Sequence, residues 1–75
     1  MTNNLNTYWS GTARPAKKIG PKNWKSEIWI VRRDTDKLVK TMEAFGTTEI
    51  SAMTNGLKLA KHEATNMGAP SDWEN

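Results

Sequence analysis

The 75-residue sequence contains no cysteine and a single histidine, His62. Disulfide bonds and thiolate metal sites are therefore excluded, and one histidine argues against a histidine-based metal centre or a Ser-His-Asp triad. No stretch approaches the roughly 20 apolar residues of a membrane-spanning helix. The N-terminus also lacks the apolar centre of a secretion signal. We therefore expect a cytoplasmic protein with no membrane association, acting in the cell that makes it or in a host cell.

Groups that carry catalysis are also scarce. The acidic residues are scattered, and no two carboxylates fall at a spacing that would pair them in a site. The sequence Thr-Asn-Gly at residues 54–56 is too short for a glycine-rich phosphate loop. We expect no enzyme activity, no catalytic residue, no bound metal and no cofactor.

Positive charge is present and unevenly distributed. The formal net charge is +3. Residues 1–25 contain basic residues and no acidic ones, residues 26–68 are neutral overall, and Asp72 and Glu74 make the C-terminal end acidic. A basic segment on a neutral body indicates attraction to a polyanion such as nucleic acid. The alternative is a solubilising tail without a partner.

Composition divides the chain into three parts. Residues 1–23 are rich in Asn, Thr, Gly, Pro and Lys and show no apolar period, which predicts a flexible basic arm. Residues 24–68 form the body, a single domain with a thin core, so we expect a homodimer that buries an apolar face. Residues 69–75 are an acidic tail, from which Trp73 could fold back onto the body.

The first half of the body predicts a strand and then a helix. Residues 26–33 contain a continuous β-branched and aromatic run, typical of a strand covered on both sides, which would place Trp29 in the core. In residues 34–46 the apolar residues recur at i, i+1, i+4 and i+7, on one helical face, and Gly46 suits the helix end. A second strand paired with the first is the alternative.

The second half, residues 47–68, can be read in two ways. One long helix would have a continuous apolar stripe, but Asn55 and Gly56 would lie in its interior, where glycine costs about 1 kcal/mol relative to alanine. A short strand over residues 48–53 followed by a helix with Asn55 or Thr54 as its N-cap avoids that cost. The second reading predicts a small two-layer β-α-β-α fold of the α/β class with a right-handed crossover.

This element order resembles the Alba family of small nucleic-acid-binding proteins over residues 27–67. The matching segments are IWIVRR, TDKLVKTMEAFG, EISAM and TNGLKLAKHEA. The resemblance implies a truncated Alba-like fold in which Arg32 and Arg33 correspond to the basic loop of the family. Met53 and Asn55 stand where the family has arginines, and the chain ends before the family's β-hairpin.

The segment WKSEIWIVRRDTDKLVKTMEAFGTTEISA also resembles a β-ribbon followed by a helix, as in AP2-type and integrase arm-binding domains. In those domains, too, residues of the sheet contact nucleic acid. This resemblance implies that a second strand follows the first strand, where the Alba-like fold has a helix.

Cations within reach of phosphates, together with aromatic rings that stack on bases, are the chemistry that nucleic-acid binding requires. The candidate binding residues are Arg14, Lys17, Lys18, Lys22, Trp24, Lys25, Arg32, Arg33, Asn55, Lys58 and Lys61. Each has a structural alternative: Trp24 packed inward, the two arginines in ion pairs with Asp34 and Asp36, and the two helical lysines on an ordinary solvated face. His62 is expected at the surface.

The sequence thus predicts a small basic protein that binds RNA or DNA, with a slight preference for RNA because unpaired bases suit the aromatic residues. Such a protein could antagonise a host RNA-processing factor or a toxin. The alternative is an inhibitor or adaptor of the viral type that blocks a host protein through its Trp-bearing tails, with Trp9 and Trp73 as anchors.

Overall fold

A computed structural model describes residues 2–73 as five antiparallel strands and one helix, a small mixed α/β fold. In chain order the elements are β1 (Thr2–Asn4), β2 (Trp9–Ala13), β3 (Lys17–Gly20), β4 (Asn23–Arg32), β5 (Leu38–Gly46) and α1 (Glu49–Met67). No helix in this range combines the length and the apolar character that a membrane span requires.

Strand β4 is the centre of the sheet. One of its edges pairs with β5 from Trp24 to Val31. Its other edge is shared end to end by β3, which pairs with its first residues, and by β2, which pairs with its last residues. The short strand β1 pairs with β2 and extends the sheet at that side. The β4 ladder therefore connects three of the other four strands directly.

The two faces of the sheet differ because side chains alternate along β4. Ser26, Ile28 and Ile30 are buried against α1. Trp29 and its alternate neighbours point to the opposite side, which no helix of the described chain covers and which we call the open face. The helix contributes its own buried side to the core, with Ala52, Met53, Leu57, Ala60 and Ala64.

Helix α1 is continuous from Glu49 to Met67, so the strand predicted over residues 48–53 and the break at Asn55 are wrong. Thr48 is the N-cap, and its side chain and that of Ser51 form a reciprocal capping box. Gly56 lies inside the helix because the space a β-carbon would fill is taken by Ile28 of β4. The glycine therefore permits close helix–sheet packing and does not mark a turn.

The helix predicted over residues 34–46 is also wrong, and the alternative of a second strand is the observed one. In β5 Met42 and Ala44 face the helix, whereas Leu38 and Phe45, which had suggested a helical face, are exposed. A register shift opposite Ile30 and Val31 marks a β-bulge near Val39. The β-α-β-α order that supported the Alba resemblance is therefore not the order of this fold.

The segment predicted to be a flexible arm, residues 1–23, contributes three strands to the sheet from residue 2 onward. Its few apolar side chains are nearly all used, because Leu5, Trp9, Ala13 and Ala16 are buried in the core. The predicted boundary between arm and body does not exist as a structural boundary. The prediction failed because spaced single apolar residues, without a period, were sufficient to anchor this segment.

The C-terminal tail returns to the sheet over its described part. Trp9 donates a hydrogen bond from Nε1 to the carbonyl oxygen of Gly68, at 2.8 Å. The ring of Trp73 packs edge-on against Tyr8 with centroids 5.1 Å apart, which confirms that this tryptophan folds back. Asp72 forms an ion pair with Arg32, at 2.8 Å. The predicted tail also includes residues 74 and 75, which lie outside the described residues.

Candidate nucleic-acid interface

An arginine–tryptophan stack lies on the open face. The guanidinium carbon of Arg14 lies 4.7 Å from the centre of the Trp29 ring, within the range of a cation–π contact. The indole N–H of Trp29 donates to the carboxylate of Glu27 two residues earlier on the same strand. Thr12 of β2 and Thr41 of β5 are the cross-strand neighbours of the tryptophan. Small side chains thus flank a large half-buried ring, which leaves part of its surface accessible.

The backbone of Arg14 is fixed by the sheet. Its N–H donates to the carbonyl of Glu27 at 2.8 Å. Its own carbonyl accepts a hydrogen bond of 2.8 Å from the hydroxyl of Ser26, which is fully buried. A buried hydroxyl that satisfies a backbone acceptor holds this part of the chain in one position. The exposed guanidinium is therefore presented from a rigid base over the Trp29 ring.

Next to the stack, two lysines occupy directly opposed positions. Lys17 of β3 and Lys25 of β4 are cross-strand partners, and like charges directly opposite each other are destabilising. Lys25 has a counterion, since its ammonium lies 2.7 Å from Glu43, whose hydrogen bond raises the pKa of the lysine. Both members of that ion pair are substantially exposed, so the pair contributes little.

These residues line one groove. Its walls are Arg14, Pro15, Lys17, Lys25, Glu27 and Trp29, and it has a volume of about 520 Å³. Three cations and one carboxylate therefore border the groove, together with an indole ring. The chemistry of this set suits an anion adjacent to a flat, polarisable group.

The β3–β4 hairpin extends the positive charge beyond the groove. Lys22 lies in its turn with a φ of 51°, and Lys18 is opposite Trp24. Trp24 is half-buried and packs against the core, so the structural alternative for this tryptophan is the observed one. The hairpin end is thus basic, but its tryptophan is directed to the helix side and not to the open face.

Arg32 and Arg33 lie at the other end of β4, about 23 Å from Lys25 along an extended strand. The Arg32 side chain is only 16% exposed and forms ion pairs with Asp34 and Asp72, at 2.7 and 2.8 Å. Hydrogen bonds to these carboxylates raise the pKa of Arg32, and the same arginine lowers the pKa of Asp34. For Arg32 the ion-pair alternative is therefore the observed arrangement.

Arg33 is exposed but also has structural partners. Its guanidinium donates to the carbonyl oxygens of Asn6 and Thr7, at 2.9 and 3.4 Å. Its backbone N–H donates to the carbonyl of Tyr8 at 3.0 Å. These contacts tie the loop between β1 and β2 to the end of β4. The structure therefore does not bring the two arginines together with the basic residues of the groove.

The remaining predicted binding residues belong to the helix. Asn55 donates from Nδ2 to the carbonyl of Phe45, at 2.8 Å, and so joins α1 to β5. Lys58 and Lys61 are exposed on the helix, which covers the face of the sheet opposite to the groove. His62 is exposed, which confirms the prediction of a surface position. The groove and these lysines therefore lie on different faces and do not form a single ligand-binding surface.

Trp29 and Glu27 were missed as site residues, because the apolar run suggested a strand covered on both sides. The alternation of side chains along a strand could have identified them, because Trp29 must point away from the core if Ile28 and Ile30 point into it. The tryptophans proposed as anchors for a protein partner are not freely exposed, because Trp9 is only 4% exposed and Trp73 packs on Tyr8.

Within residues 2–73, no cluster of three or more His, Cys, Asp or Glu side chains could hold a metal ion. Comparisons with protein-family models, with curated proteins and with solved structures found no match to this chain.

Proposed function

We propose that this protein binds single-stranded nucleic acid on the open face of its sheet, with RNA preferred over DNA. The observation that carries the proposal is the placement of the opposed Lys17–Lys25 pair beside the Arg14–Trp29 stack. Two like charges held opposite each other are unfavourable in the free protein, and a phosphate between them would relieve their repulsion. The adjacent stack provides a planar surface for a base.

The mode of binding follows from the chemistry of the groove. Unpaired bases stack on aromatic rings and on guanidinium planes, and sheet surfaces that present such groups are used by RNA-binding modules. A base can stack on Arg14 or replace it on the Trp29 ring, while Lys22, in the turn of the β3–β4 hairpin, is available for the next phosphate. Glu43 would release Lys25 at small cost, because the ion pair is exposed.

The proposal is supported by the second of the two family resemblances more than by the first. A β4–β5 ribbon followed directly by α1 is the order expected from the AP2-type and integrase arm-binding resemblance, in which sheet residues contact nucleic acid. That resemblance does not distinguish a single strand from a duplex, so duplex DNA belongs in the test. A cytoplasmic location remains part of the proposal.

The test is a fluorescence-anisotropy titration with labelled 10-nucleotide RNA, DNA of the same sequence, and the corresponding duplex, at several salt concentrations. Three to four cations in contact with a single strand give a log–log salt slope of about −2 to −3. Lys17→Ser should weaken binding and reduce the slope by about 0.7, whereas Trp29→Thr should weaken binding with the slope unchanged.

Lys58→Ser is the matched control, because it removes one exposed lysine from the helix side. We expect this variant to bind like the wild type apart from a small general effect of charge. Equal losses from Lys17→Ser and Lys58→Ser would show that binding is not confined to the open face. Absence of binding at low salt would refute the function, and tighter binding of the duplex would reassign the ligand to double-stranded DNA.

A further inference from the structure

The strands at the margins of the sheet differ in how they are protected. Strand β1 has three residues, all polar, and β3 has four residues, of which two are lysines. Short strands and lysines are the usual means by which proteins prevent edge-to-edge pairing. Strand β5 has nine residues and, among residues 2–73, pairs with β4 alone. Its outer edge is thus longer than those of β1 and β3, and Lys40 and the bulge near Val39 are its protecting features.

Strand β5 also carries exposed apolar side chains. Leu38, Val39 and Phe45 are 45%, 46% and 53% exposed, and Leu59 of the helix, which is 46% exposed, borders the same groove as Phe45. An unpaired strand edge flanked by apolar side chains is a template for a further strand. We propose that the edge of β5 pairs with β5 of a second copy of this chain, in an antiparallel, two-fold symmetric arrangement centred on Met42.

Self-complementarity identifies the second copy as the occupant. In antiparallel pairing, opposed residues point to the same face. Only registers that pair even-numbered residues with even-numbered ones, and odd with odd, therefore keep both helices on one side of the sheet. With Met42 at the axis, Thr41 is opposite Glu43, Lys40 is opposite Ala44, and Val39 is opposite Phe45 of the second copy. This register places an apolar residue opposite an apolar one and no like charges directly opposite each other.

Neighbouring registers are less favourable. A shift by one pair in one direction places Glu43 directly opposite Glu43 of the second copy, and a shift in the other direction places Val39 opposite Glu43. Like charges in opposed positions are destabilising. The Lys25–Glu43 ion pair is exposed, so it screens this repulsion only in part. The charge pattern of β5 therefore selects the register centred on Met42.

The association should be weak. Nine residues of strand extend about 30 Å, and the smallest dimension of the molecule is 15 Å, so the contact covers about 450 Å² per copy, compared with about 800 Å² in a stable interface. Asn55 already occupies the carbonyl of Phe45, and the bulge near Val39 limits the ladder at the other end. We expect a dissociation constant between about 10 and 500 µM.

Such a dimer has a consequence for the open face. A two-fold axis perpendicular to the sheet keeps both open faces on the same side, so two Trp29 rings would lie on one continuous surface. A strand long enough to reach both sites would then bind more tightly than two separate short ones. The self-association, however, does not depend on nucleic acid and is tested in its absence.

The experiment is sedimentation equilibrium of the free protein between 10 µM and 1 mM. Two variants each introduce a charge, negative in one and positive in the other, at the neutral position Thr41. Thr41→Glu places a carboxylate opposite Glu43 of the second copy, and Thr41→Lys places an ammonium there. We expect the first variant to weaken the dimer and the second to strengthen it, each by about tenfold, because two symmetric contacts change. The controls are Thr12→Glu and Thr12→Lys, which flank the same Trp29 on β2 and should leave the dissociation constant unchanged.

Three results would overturn the proposal. The first is a protein that stays monomeric up to 1 mM, which would mean that the β5 edge does not associate with itself. The second is equal weakening by both substitutions at Thr41, which would place Thr41 opposite itself or another residue. The third is an equal effect of the substitutions at Thr12 and Thr41, which would locate the interface away from β5.

Discussion

The substitution Gly56→Ala is a direct test of how closely the helix packs on the sheet. A β-carbon at this position would come too close to Cδ1 and Cγ1 of Ile28 and would lie 3.3 Å from the β-carbon of Ala44. Ile28 is fully buried in the central strand. The helix or the isoleucine must therefore shift.

Two effects of opposite sign determine the result. Alanine in place of a helix-interior glycine stabilises the helix by about 1 kcal/mol. Overpacking of a well-filled core costs about 1–3 kcal/mol, and the contact with two atoms of a fully buried side chain places this site in the upper part of that range. We expect a net loss of about 1–2 kcal/mol in the free energy of unfolding. For a domain of this size the loss corresponds to a fall in Tm of about 5–15 °C.

The assay is urea denaturation followed by circular dichroism, with Thr54→Ala as the matched control. Thr54 is exposed two positions earlier on the same helix, so alanine there should stabilise by up to about 0.7 kcal/mol. Ile28→Val removes the Cδ1 methyl, and combined with Gly56→Ala it should cost at least about 0.5 kcal/mol less than the sum of the two single changes. An increase in stability from Gly56→Ala, like that from Thr54→Ala, would refute the reasoning.

Three further predictions concern stability. Thr48→Ala removes the N-cap of α1 and should lower the free energy of unfolding by about 0.5–2 kcal/mol in urea denaturation. An unchanged free energy of unfolding would show that the cap is not formed. Ser26→Ala leaves the carbonyl of Arg14 without its buried donor and should cost about 1–3 kcal/mol by the same assay, whereas a neutral result would contradict the hydrogen bond. The hydrogen bond from Arg32 lowers the pKa of Asp34, so this stabilisation is complete above the ordinary carboxyl pKa of 3.8 and is lost as the pH falls through the lower folded-state value. Acid denaturation of Asp34→Asn should therefore show a shallower loss of stability below pH 4 than the wild type, and an identical slope would exclude the ion pair.

The strand β4 and the second half of the helix could be predicted from the sequence, because their patterns agree with their environments. The run from Ile28 to Val31 is a strand, and Leu57, Ala60 and Ala64 are buried on one side of a helix as expected. The first half of the helix could not be predicted from local rules alone. The glycine penalty applies to an exposed position, whereas Gly56 is selected by Ile28 of another element.

Strand β5 was mispredicted because three of the four apolar residues that suggested a helix are exposed at a sheet edge. Of the four, Met42 alone is directed to the core, where it is accompanied by Ala44, and a pattern cannot show which apolar residues will be covered. The basic character of residues 1–25 is evident from the sequence, but the three strands within that segment could not be predicted from it. Single residues such as Trp9 anchor it through contacts with the far end of the chain, which only the tertiary structure supplies.

The arrangement of β4, β5 and α1 as consecutive elements has a consequence for the order of folding. Strand β5 pairs with its predecessor across a short loop, and the helix begins a few residues later and packs on both strands. Contacts between neighbours in sequence require little loop closure and form rapidly. We therefore expect these three elements to constitute the transition-state nucleus, with the contacts of the N-terminal strands formed after the transition state.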